Sequence, residues 1–352
     1  MTIAVLAQSL LALDNVWLAL GLKLGLIVVF FLTAPLAVGY MEHKVMAHMQ
    51  DRLGPMEAGL GPIKHGVGQL VADGVKFIQK EDIIPTAADK WVFSWAPAVS
   101  LVPVLVILVV VPFGPGVWAE NLDAGIFFAL AVSSVGVLGI LMAAWSSANK
   151  YSLMGGIRAA AQLIAYELPL VLAAAAVVLQ AGTLSLVGIV EAQNEFRLLG
   201  AIPVPYAVPH VIGFGMFYVA ALAELSRPPF DMPIADSEII FGHMTEYSGL
   251  RYAFFMLSEY AGMVVLSALA TVLFLGGWYP WPGVPLPDGA LGALLGFGVT
   301  MGKIIALTFV MVWLRATFPR LREDQLQRMS WLILIPLALL NIVVVAVAKV
   351  ML

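Results

Sequence analysis

The chain has 352 residues, of which 61% are hydrophobic and only 11% are charged, and its mean hydropathy is +0.97. This composition excludes an ordinary soluble domain, and the long apolar runs favour helical membrane spans over a β-barrel, which would show short alternating segments. The absence of cysteine excludes both a disulfide framework and an iron–sulfur cluster held by thiolates of this chain.

Eight apolar runs are long enough, at roughly 20 residues, to cross a bilayer as helices. They cover residues 17–40, 91–112, 124–145, 157–180, 206–225, 252–276, 290–313 and 330–350. Turn-forming residues or charge clusters separate them, as at Gly114 and Pro115. We therefore expect a single integral membrane domain, residues 1–352, with an all-α polytopic fold of about eight transmembrane helices.

The first connection contains a segment of a different kind, residues 60–82. Its apolar residues recur at helical spacing, and they are Val67, Leu70, Val71, Val75 and Ile78. Lys76 and Lys80 lie four residues apart in the same segment. This pattern predicts an amphipathic helix that lies in the membrane interface on the cytoplasmic side. The alternative is a solvated connector with a weakly amphipathic helix.

The connections between spans alternate in charge. Of the 18 basic residues, 14 follow spans 1, 3, 5 and 7: Lys44, Arg52, Lys64, Lys76, Lys80, Lys90, Lys150, Arg158, Arg227, Arg251, Arg315, Arg320, Arg322 and Arg328. The positive-inside rule therefore predicts that these loops are cytoplasmic and that both termini lie outside. We expect no cleaved signal peptide, because the first apolar run carries Asp14 at its start and lacks a basic region and a small-residue cleavage site.

Several ionisable residues lie within the predicted spans or at their ends. A charge at bilayer depth costs about 3 kcal/mol on insertion scales, so it tends to face protein or water and to have a partner. Glu167 in the fourth span and Lys303 in the seventh are far from an interface, and we interpret both as functional. Glu42, Lys44 and Glu259 are close enough to an interface to reach water, so a structural role fits their positions equally well.

The connection between the fifth and sixth spans concentrates charge in a chain that otherwise avoids it. Residues 227–249 carry Arg227, Asp231, Asp236, Glu238, His243 and Glu246. Pro228 and Pro229 should end the fifth span, and Asp231 is predicted to cap a short helix in which it shares a face with Glu238. The segment also holds too many apolar residues for a plain surface helix, namely Phe230, Ile234, Ile239, Ile240 and Phe241. The acids therefore predict a buried proton site or a site for a polar headgroup.

Five regions of the sequence carry motifs in the order found in one family. They are RLGP at 52–55 with ADGVKFIQKED at 72–82, NKYSLMGGIRAAAQLIAYELPL at 149–170, AELSRPPFDMP at 223–233, TEYSG at 245–249 and RATFPRLREDQL at 315–326. On these motifs the chain resembles the quinone-site membrane subunit of respiratory complex I, the H-subunit family of the bacterial enzyme, over nearly its whole length. The resemblance implies a subunit of a proton-pumping NADH:quinone oxidoreductase, a translocase of the respiratory chain, with no activity alone.

The resemblance also implies how the work is divided between subunits. In the family this subunit forms a tunnel from the bilayer towards the peripheral arm, where FMN and iron–sulfur clusters of partner subunits deliver electrons to ubiquinone or menaquinone. It therefore implies quinone as substrate, and no metal, cofactor or catalytic residue in this chain. The implied partners are the peripheral-arm subunits, small membrane subunits leading to antiporter-like subunits, and membrane lipid, without nucleic acid. The implied location is the bacterial plasma membrane.

Site residues follow from the resemblance position by position. The proton-coupling group comprises Glu167, Glu224, Asp231, Asp236, Glu238 and Glu246. The quinone tunnel comprises Glu42, His43, Arg52, Asp73, Lys76, Arg227 and Phe230. Three positions depart from the family pattern: Ile234 and Ser134 stand where relatives commonly have glutamate, and His43 replaces an arginine. These departures indicate a proton path without those carboxylates and an altered tunnel mouth.

Other functions share some of these features. The equivalent subunit of a ferredoxin-linked complex or a membrane-bound hydrogenase would look the same, because the electron donor binds another chain. A stand-alone secondary transporter is disfavoured, since the sequence shows no paired halves with broken helices. A purely structural anchor for the peripheral arm would tolerate neutral substitutions at Glu167 and Glu224.

Overall fold

A computed structural model describes residues 16–59, 64–198 and 202–351, without the side chains of Val16, Leu18, Ala19 and Asp236. Asp14 and part of the predicted 60–82 helix lie outside the described residues. In chain order the α-helices are α1 (Val16–Met49), α2 (Gln69–Gln79), α3 (Lys90–Ile107), α4 (Gly125–Ser146), α5 (Lys150–Ala181), α6 (Leu186–Glu195), α7 (Val211–Glu224), α8 (Asp236–Ile239), α9 (Gly249–Phe274), α10 (Ala290–Thr317), α11 (Glu323–Arg328) and α12 (Ile335–Met351).

Short elements of other kinds complete the described fold. Strands β1 (Arg197–Leu198) and β2 (Ile202–Pro203) form an antiparallel pair with Leu198 opposite Ile202. Two 3₁₀ turns, Met232–Ile234 and Gly242–Met244, flank α8. A π-helical turn, Met329–Leu334, joins α11 to α12 without a break in the helix. The fold is therefore helical almost throughout the described residues.

Seven described helical segments are long and apolar enough to span a membrane. They are Leu20–Met49, Lys90–Ile107, Gly125–Ser146, Lys150–Ala181, Gly249–Phe274, Ala290–Thr317 and Glu323–Met351. The run predicted at 206–225 contains α7, an apolar helix of 14 residues that follows turns at 206–210. At about 1.5 Å per residue α7 is shorter than a hydrocarbon core of roughly 30 Å. The all-helical polytopic class is confirmed with seven candidate spans.

Helix α2 occupies the centre of the predicted interfacial segment. None of its residues is buried, and Val71, Val75 and Ile78 are exposed. On its inner side, Leu70 packs so closely on α1 that a Cβ added to Gly39 would lie 3.0 Å from the leucine. The helix therefore presents an apolar face away from the bundle, which is the arrangement of a helix that lies on a membrane surface.

The centre of the bundle is formed by α5, α7 and α9. Helix α9 is buried on all sides from Ala261 to Phe274, which explains why its sequence has no polar face. Helix α5 carries small residues, Gly155 and Gly156, where it packs against α4 and the loop. A Cβ added to Gly156 would lie 2.1 Å from the Cβ of Ala144 in α4, so only glycine permits this approach.

The basic connections meet at one end of the bundle, which we call the charged end. There the carboxyl ends of α1, α4, α7 and α10 adjoin the amino ends of α3, α5, α9 and α11. Ion pairs connect these ends, including Arg251 with Asp82 and Arg158 with Glu323. At the opposite end, Lys23 donates to the carbonyl of Ala119.

Candidate functional site

Arg227 lies at the centre of a buried ion network at the charged end. Its guanidinium donates a hydrogen bond to Glu42 of α1, and its Nε lies 2.7 Å from Oε1 of Glu259 of α9. Arg315 of α10 pairs with the second oxygen of Glu42, to which the hydroxyl of Tyr260 also donates. The Arg227 and Glu42 side chains are only 1% and 4% exposed. We call Glu42, Arg227, Glu259 and Arg315 the Arg227 network.

The network balances its charges, with two guanidinium groups and two carboxylates. Taking each ion out of water costs several kcal/mol, so the buried arrangement depends on direct pairing. Burial lowers the pKa of Arg227, whereas the charges of Glu259 and Glu42 raise it, and the resulting pKa lies above the usual value for arginine. Arg227 therefore stays charged, and its guanidinium also lies 4.5 Å from the centre of the Tyr260 ring.

The sequence marked Glu42 and Arg227 as tunnel residues, but it did not join them to the rest of this network. Glu259 was open to a structural or a functional interpretation, and nothing singled out Arg315 or Tyr260. The sequence did show that ionisable residues lie close to membrane depth, where a charge costs free energy and needs a partner. The other members of the Arg227 network come from three other parts of the chain, so only the folded structure identifies them.

A turn after α7 places Arg227 in the bundle. Ser226 adopts a left-handed conformation with φ of 51°, and the amide of Phe230 donates to the carbonyl of Arg227 at 2.7 Å. The buried amide of Gln162 in α5 donates to the carbonyls of Ala223 and Phe230, at 2.7 and 2.8 Å. Gln162 thus fixes both sides of the turn, and sequence reasoning missed it because a glutamine in an apolar helix carries no charge signal.

Phe230, predicted to line the tunnel, lies in the hydrophobic core. It is 4% exposed, and its ring meets that of Tyr166 edge to face with 5.5 Å between the ring centres. The hydroxyl of Tyr166 in turn donates to the carbonyl of Leu326 at 3.0 Å. Phe230 therefore anchors the start of the loop between α5 and α11.

A cavity of about 130 Å³ adjoins the Arg227 network. It lies among α3, α4, α5, α7, α9 and the loop that follows α7. Its polar lining consists of Glu224, Glu259, His243, Ser100, Ser133, Ser226 and Ser258, and the rest is apolar. Glu259 belongs both to this cavity and to the Arg227 network. Glu224 is half-buried, and Glu167 of α5 is close enough to interact with it electrostatically.

The remaining acids of the loop have separate partners. Asp231 forms a two-pronged pair with Arg320, both bonds being 2.8 Å long. Glu238, at the surface, lies 2.6 Å from Arg158. Glu246 accepts a hydrogen bond of 2.5 Å from the amide of Asn149, which caps α5. Asp236 is the last acid of the predicted proton-coupling group, and its side chain lies outside the described residues.

The prediction of a single short helix in this loop is wrong. The segment divides into the turn Met232–Ile234, the four-residue α8 and the turn Gly242–Met244, so Asp231 and Glu238 do not share a helical face. Asp231 makes no capping bond to the first turn. The reason is that Arg320 from the distant α10–α11 connection provides a stronger partner for its carboxylate than a backbone amide does.

The other predicted tunnel residues lie at the surface of the charged end. Lys76 donates to Asp73 at 2.7 Å, and Gln69 donates to the same carboxylate at 3.3 Å. Burial raises the pKa of Asp73, but these hydrogen bonds together lower it by more than burial raises it. The pKa of Asp73 therefore lies below the usual value. Arg52 is exposed and binds Gln50, and His43 is half-buried near Asp73.

Ile234 and Ser134, which stand where relatives commonly have glutamate, have different surroundings in the structure. Ile234 lines the cavity. Ser134 donates to the carbonyl of Ala131 within α4, at 2.9 Å. Among the described residues no group of three or more histidine, cysteine, aspartate or glutamate side chains could hold a metal ion.

The fold and this site define a class: a polytopic helical membrane subunit in which a buried arginine–carboxylate network adjoins a cavity lined by acids. Comparison with known proteins identifies the family. A family model described as NADH dehydrogenase matches residues 22–346. The H subunit of NADH-quinone oxidoreductase from Geobacillus kaustophilus is 43% identical over 333 residues, which are 94% of this chain and 95% of the relative.

Two further relatives carry the same description. The H subunit from Anoxybacillus flavithermus is 42% identical over 346 residues, 98% of each chain. The H subunit from Bacillus mycoides is 43% identical over 345 residues, 97% of this chain and 98% of the relative. The chain therefore belongs to the H-subunit family of NADH-quinone oxidoreductase and is a membrane subunit of complex I. The resemblance inferred from the five motif regions is confirmed.

Proposed function

We propose that this subunit forms the passage through which a quinone reaches the peripheral arm from the bilayer, and the first part of a proton path driven by quinone reduction. The observation that carries the proposal is the cavity that joins Glu259 of the Arg227 network to Glu224. The charged end faces the cytoplasm in this proposal, with both termini outside, because it collects the basic connections.

The quinone passage begins beside α2. Its exposed apolar face, with Val71, Val75 and Ile78, suits an isoprenoid tail arriving from the membrane, and Lys76 offers a polar rim. Behind α2, helices α1 and α9 contribute Glu42 and Glu259 to the Arg227 network. An apolar entrance therefore adjoins a charged interior, which matches a molecule with an apolar tail and a polar headgroup.

The Arg227 network responds to the reduction of the quinone. Two electrons, delivered by partner subunits, create negative charge on the headgroup until two protons neutralise it. In low-dielectric surroundings that charge acts strongly on nearby ions. It draws Arg227 away from Glu259, and a Glu259 carboxylate that has lost its cation binds a proton more readily. The redox event thereby changes the protonation of a residue that lines the cavity.

From Glu259 the path continues to Glu224 and then to Glu167. Glu224 shares the cavity with Glu259, and Glu167 interacts electrostatically with Glu224 from α5. Neighbouring carboxyl groups of this kind titrate together. When one of them gains a proton, the other holds its own proton less tightly and releases it more easily. Asp231, Glu238 and Glu246 hold the loop in place through Arg320, Arg158 and Asn149. The alternative is that all the acids only dock the peripheral arm.

The test compares neutral substitutions inside and outside the path, in assembled complex reconstituted into vesicles. Glu224→Gln and Glu167→Gln should lower quinone reductase turnover or proton pumping by about a hundredfold, the effect of losing one proton-transfer group. NADH oxidation by artificial acceptors should stay normal, because it bypasses the quinone.

Glu238→Gln is the matched control for these variants. It removes the same charge from the surface pair with Arg158, which contributes less than about 1 kcal/mol, so turnover and pumping should stay near the parent values. Parental pumping in both Glu224→Gln and Glu167→Gln would reject the proton path.

A further inference from the structure

We infer that His243 anchors a chain of water molecules in the cavity between Glu259 and Glu224, and that protons cross the cavity along this chain. The inference rests on the proposed function and names the carrier for one of its steps. No part of the sequence pattern assigned a role to His243 beyond its place in the charged loop.

His243 is a buried polar side chain that the protein leaves unpaired. It lines the cavity from the turn Gly242–Met244 and is 5% exposed. Among the described residues its Nδ1 atom has no hydrogen-bond partner. An unsatisfied buried polar atom is unfavourable, and buried water is the usual partner of such an atom. The imidazole therefore indicates water in the cavity.

The cavity has the size and the lining that water requires. Its volume of about 130 Å³ is well above the minimum for a single molecule, and a water occupies roughly 30 Å³ in the liquid, so a short chain of water molecules fits. Each buried water needs two to four polar partners. Ser100, Ser258 and Ser133 supply hydroxyl groups around the cavity, and Glu224 and Glu259 supply carboxyl groups.

Helix α4 contributes no ionisable side chain to this lining. Its cavity residue Ser133 donates to the carbonyl of Leu130 in its own helix, at 2.8 Å. Ser258 donates to the carbonyl of Ser100 at 2.9 Å. Because these hydroxyl protons bind backbone carbonyls, the serines offer oxygen lone pairs to water. His243 adds a nitrogen acceptor on the loop side.

Close packing fixes the position of His243. A Cβ added to Gly155 of α5 would lie 2.5 Å from the Cα of Gly242 and 2.9 Å from the amide nitrogen of His243, so the turn rests directly on α5. The ring of Phe255 meets the imidazole nearly at right angles, with 5.4 Å between the ring centres. An anchor held in this way keeps the water in one place.

The imidazole accepts a hydrogen bond because it is neutral. Burial lowers the pKa of His243 to about 4. A neutral ring carries its proton on one nitrogen and accepts at the other, so Nδ1 is the acceptor when Nε2 holds the proton. The acids that share its cavity are Glu224 from α7 and Glu259 from α9, and the latter pairs with Arg227.

Two charged side chains near the turn have partners of their own. Arg158 of α5 pairs with Glu238, and Glu246, a little further along the loop, binds Asn149. Neither of these contacts involves the imidazole. The electrostatic neighbours that matter for His243 are therefore Glu224 and Glu259, the two ends of the water chain.

The transfer conserves every proton and creates no lasting charge on His243. The O–H bond of the Glu259 carboxyl breaks as a new O–H bond forms on the adjacent water. Each water passes one of its own protons to the next, and the carboxylate of Glu224 accepts the last. His243 holds one water oriented throughout and keeps its own proton, so it is a positioning residue.

Two substitutions of His243 in the assembled complex separate this role from simple packing. His243→Leu removes the acceptor while filling much of the space, and it should lower quinone reductase turnover and pumping about tenfold, the effect of one lost hydrogen bond on a rate. His243→Asn keeps a hydrogen-bonding group near the position of Nδ1 and should retain most of the activity. Artificial-acceptor activity should stay at the parent level in both.

The activities of the two variants and the presence of water at Nδ1 each test the inference. Parental turnover in His243→Leu, or equal losses in His243→Asn and His243→Leu, would overturn the inference. A structure of the parent complex at a resolution that reveals water should show one within hydrogen-bonding distance of Nδ1, and a dry cavity would overturn the inference even if the leucine variant fails to assemble. Glu224→Gln separates the two proposals: if it impairs pumping while His243→Leu does not, only the water chain is rejected.

Discussion

The two ends of the helical bundle bind their cations in different ways. At the charged end, Arg227 and Arg315 pair with the carboxylates of Glu42 and Glu259. At the opposite end the described lysines bind backbone carbonyls: Lys23 binds Ala119, Lys349 binds Leu179, and Lys303 binds Leu275, Gly277 and Tyr279. One end pairs charge with charge, and the other pairs charge with dipoles.

The two ends therefore differ in which partners can gain a proton. A carbonyl oxygen has no proton to gain or lose near neutral pH, and the bonds of Lys303 hold the end of α9 and its following turn, where a cation is also favoured by the helix dipole. A carboxylate can be protonated, so the Arg227 network can rearrange when charge appears nearby. The functional role that the sequence suggested for Lys303 stays a prediction.

The largest expected effect is that of Arg227→Met. It removes the ion-pair partner of Glu259 and leaves Glu42 with Arg315 and the Tyr260 hydroxyl, and breaking a buried ion pair from one side costs about 3–5 kcal/mol. We expect a large loss of assembled complex, measured by its yield and thermal unfolding in detergent. Arg227→Lys is the control: it keeps the charge but loses the planar fork, so an intermediate loss is expected. Unchanged assembly in Arg227→Met would contradict the importance assigned to the network.

A smaller effect is expected from Lys303→Met at the opposite end. The substitution removes the partner of three carbonyls, and leaving buried acceptors unpaired costs about 1–3 kcal/mol. Thermal unfolding should therefore occur at a lower temperature, while the number of protons pumped per NADH stays at the parent value. Lys349→Met, which loses a single exposed bond, should change less. Uncoupling in Lys303→Met without loss of stability would show that both ends take part in proton transfer.

The smallest effect is expected from Lys76→Met on the surface of α2. An exposed pair such as Lys76–Asp73 contributes less than about 1 kcal/mol, and salt screens it. Because the folded-state pKa of Asp73 lies below its usual value, the pair stabilises the fold above a pH of about 4 and less as the pH falls through that pKa. Thermal unfolding of parent and variant at neutral pH should differ slightly in low salt and coincide in high salt. A difference that persists in high salt would place Lys76 in a buried interaction.

Much of the fold could be predicted because membrane helices are encoded locally. Seven long apolar helices follow from runs of hydropathy, the centre of α2 follows from helical spacing, and the small-residue face of α5 follows from Gly155 and Gly156. The fifth run was overestimated, because α7 begins only at Val211 and turns precede it. Hydropathy counts apolar residues and cannot distinguish an apolar helix from an apolar turn packed inside the protein.

Several residues of the candidate site could be predicted from the sequence, but the contacts between them could not. The sequence marked Glu42, Arg227 and Glu224 through the resemblance to the family, position by position. It also suggested one group of loop acids, whereas the structure gives Asp231 and Glu238 partners from other parts of the chain. Gln162 went unnoticed, and His243 was named in the charged loop without a role of its own, because neither residue type is unusual by itself.

By itself, then, the sequence determined that the chain is a helical membrane subunit with its charges gathered at one end, because hydropathy and charge act over neighbouring residues. Its motifs also determined the family. Only the tertiary structure decided which charges face one another. Arg227 meets Glu42 across 185 residues of chain, and the cavity exists only where six separate elements meet. Pairing and burial depend on distances in space, and these distances give Lys303 carbonyl partners and Arg227 carboxylate partners.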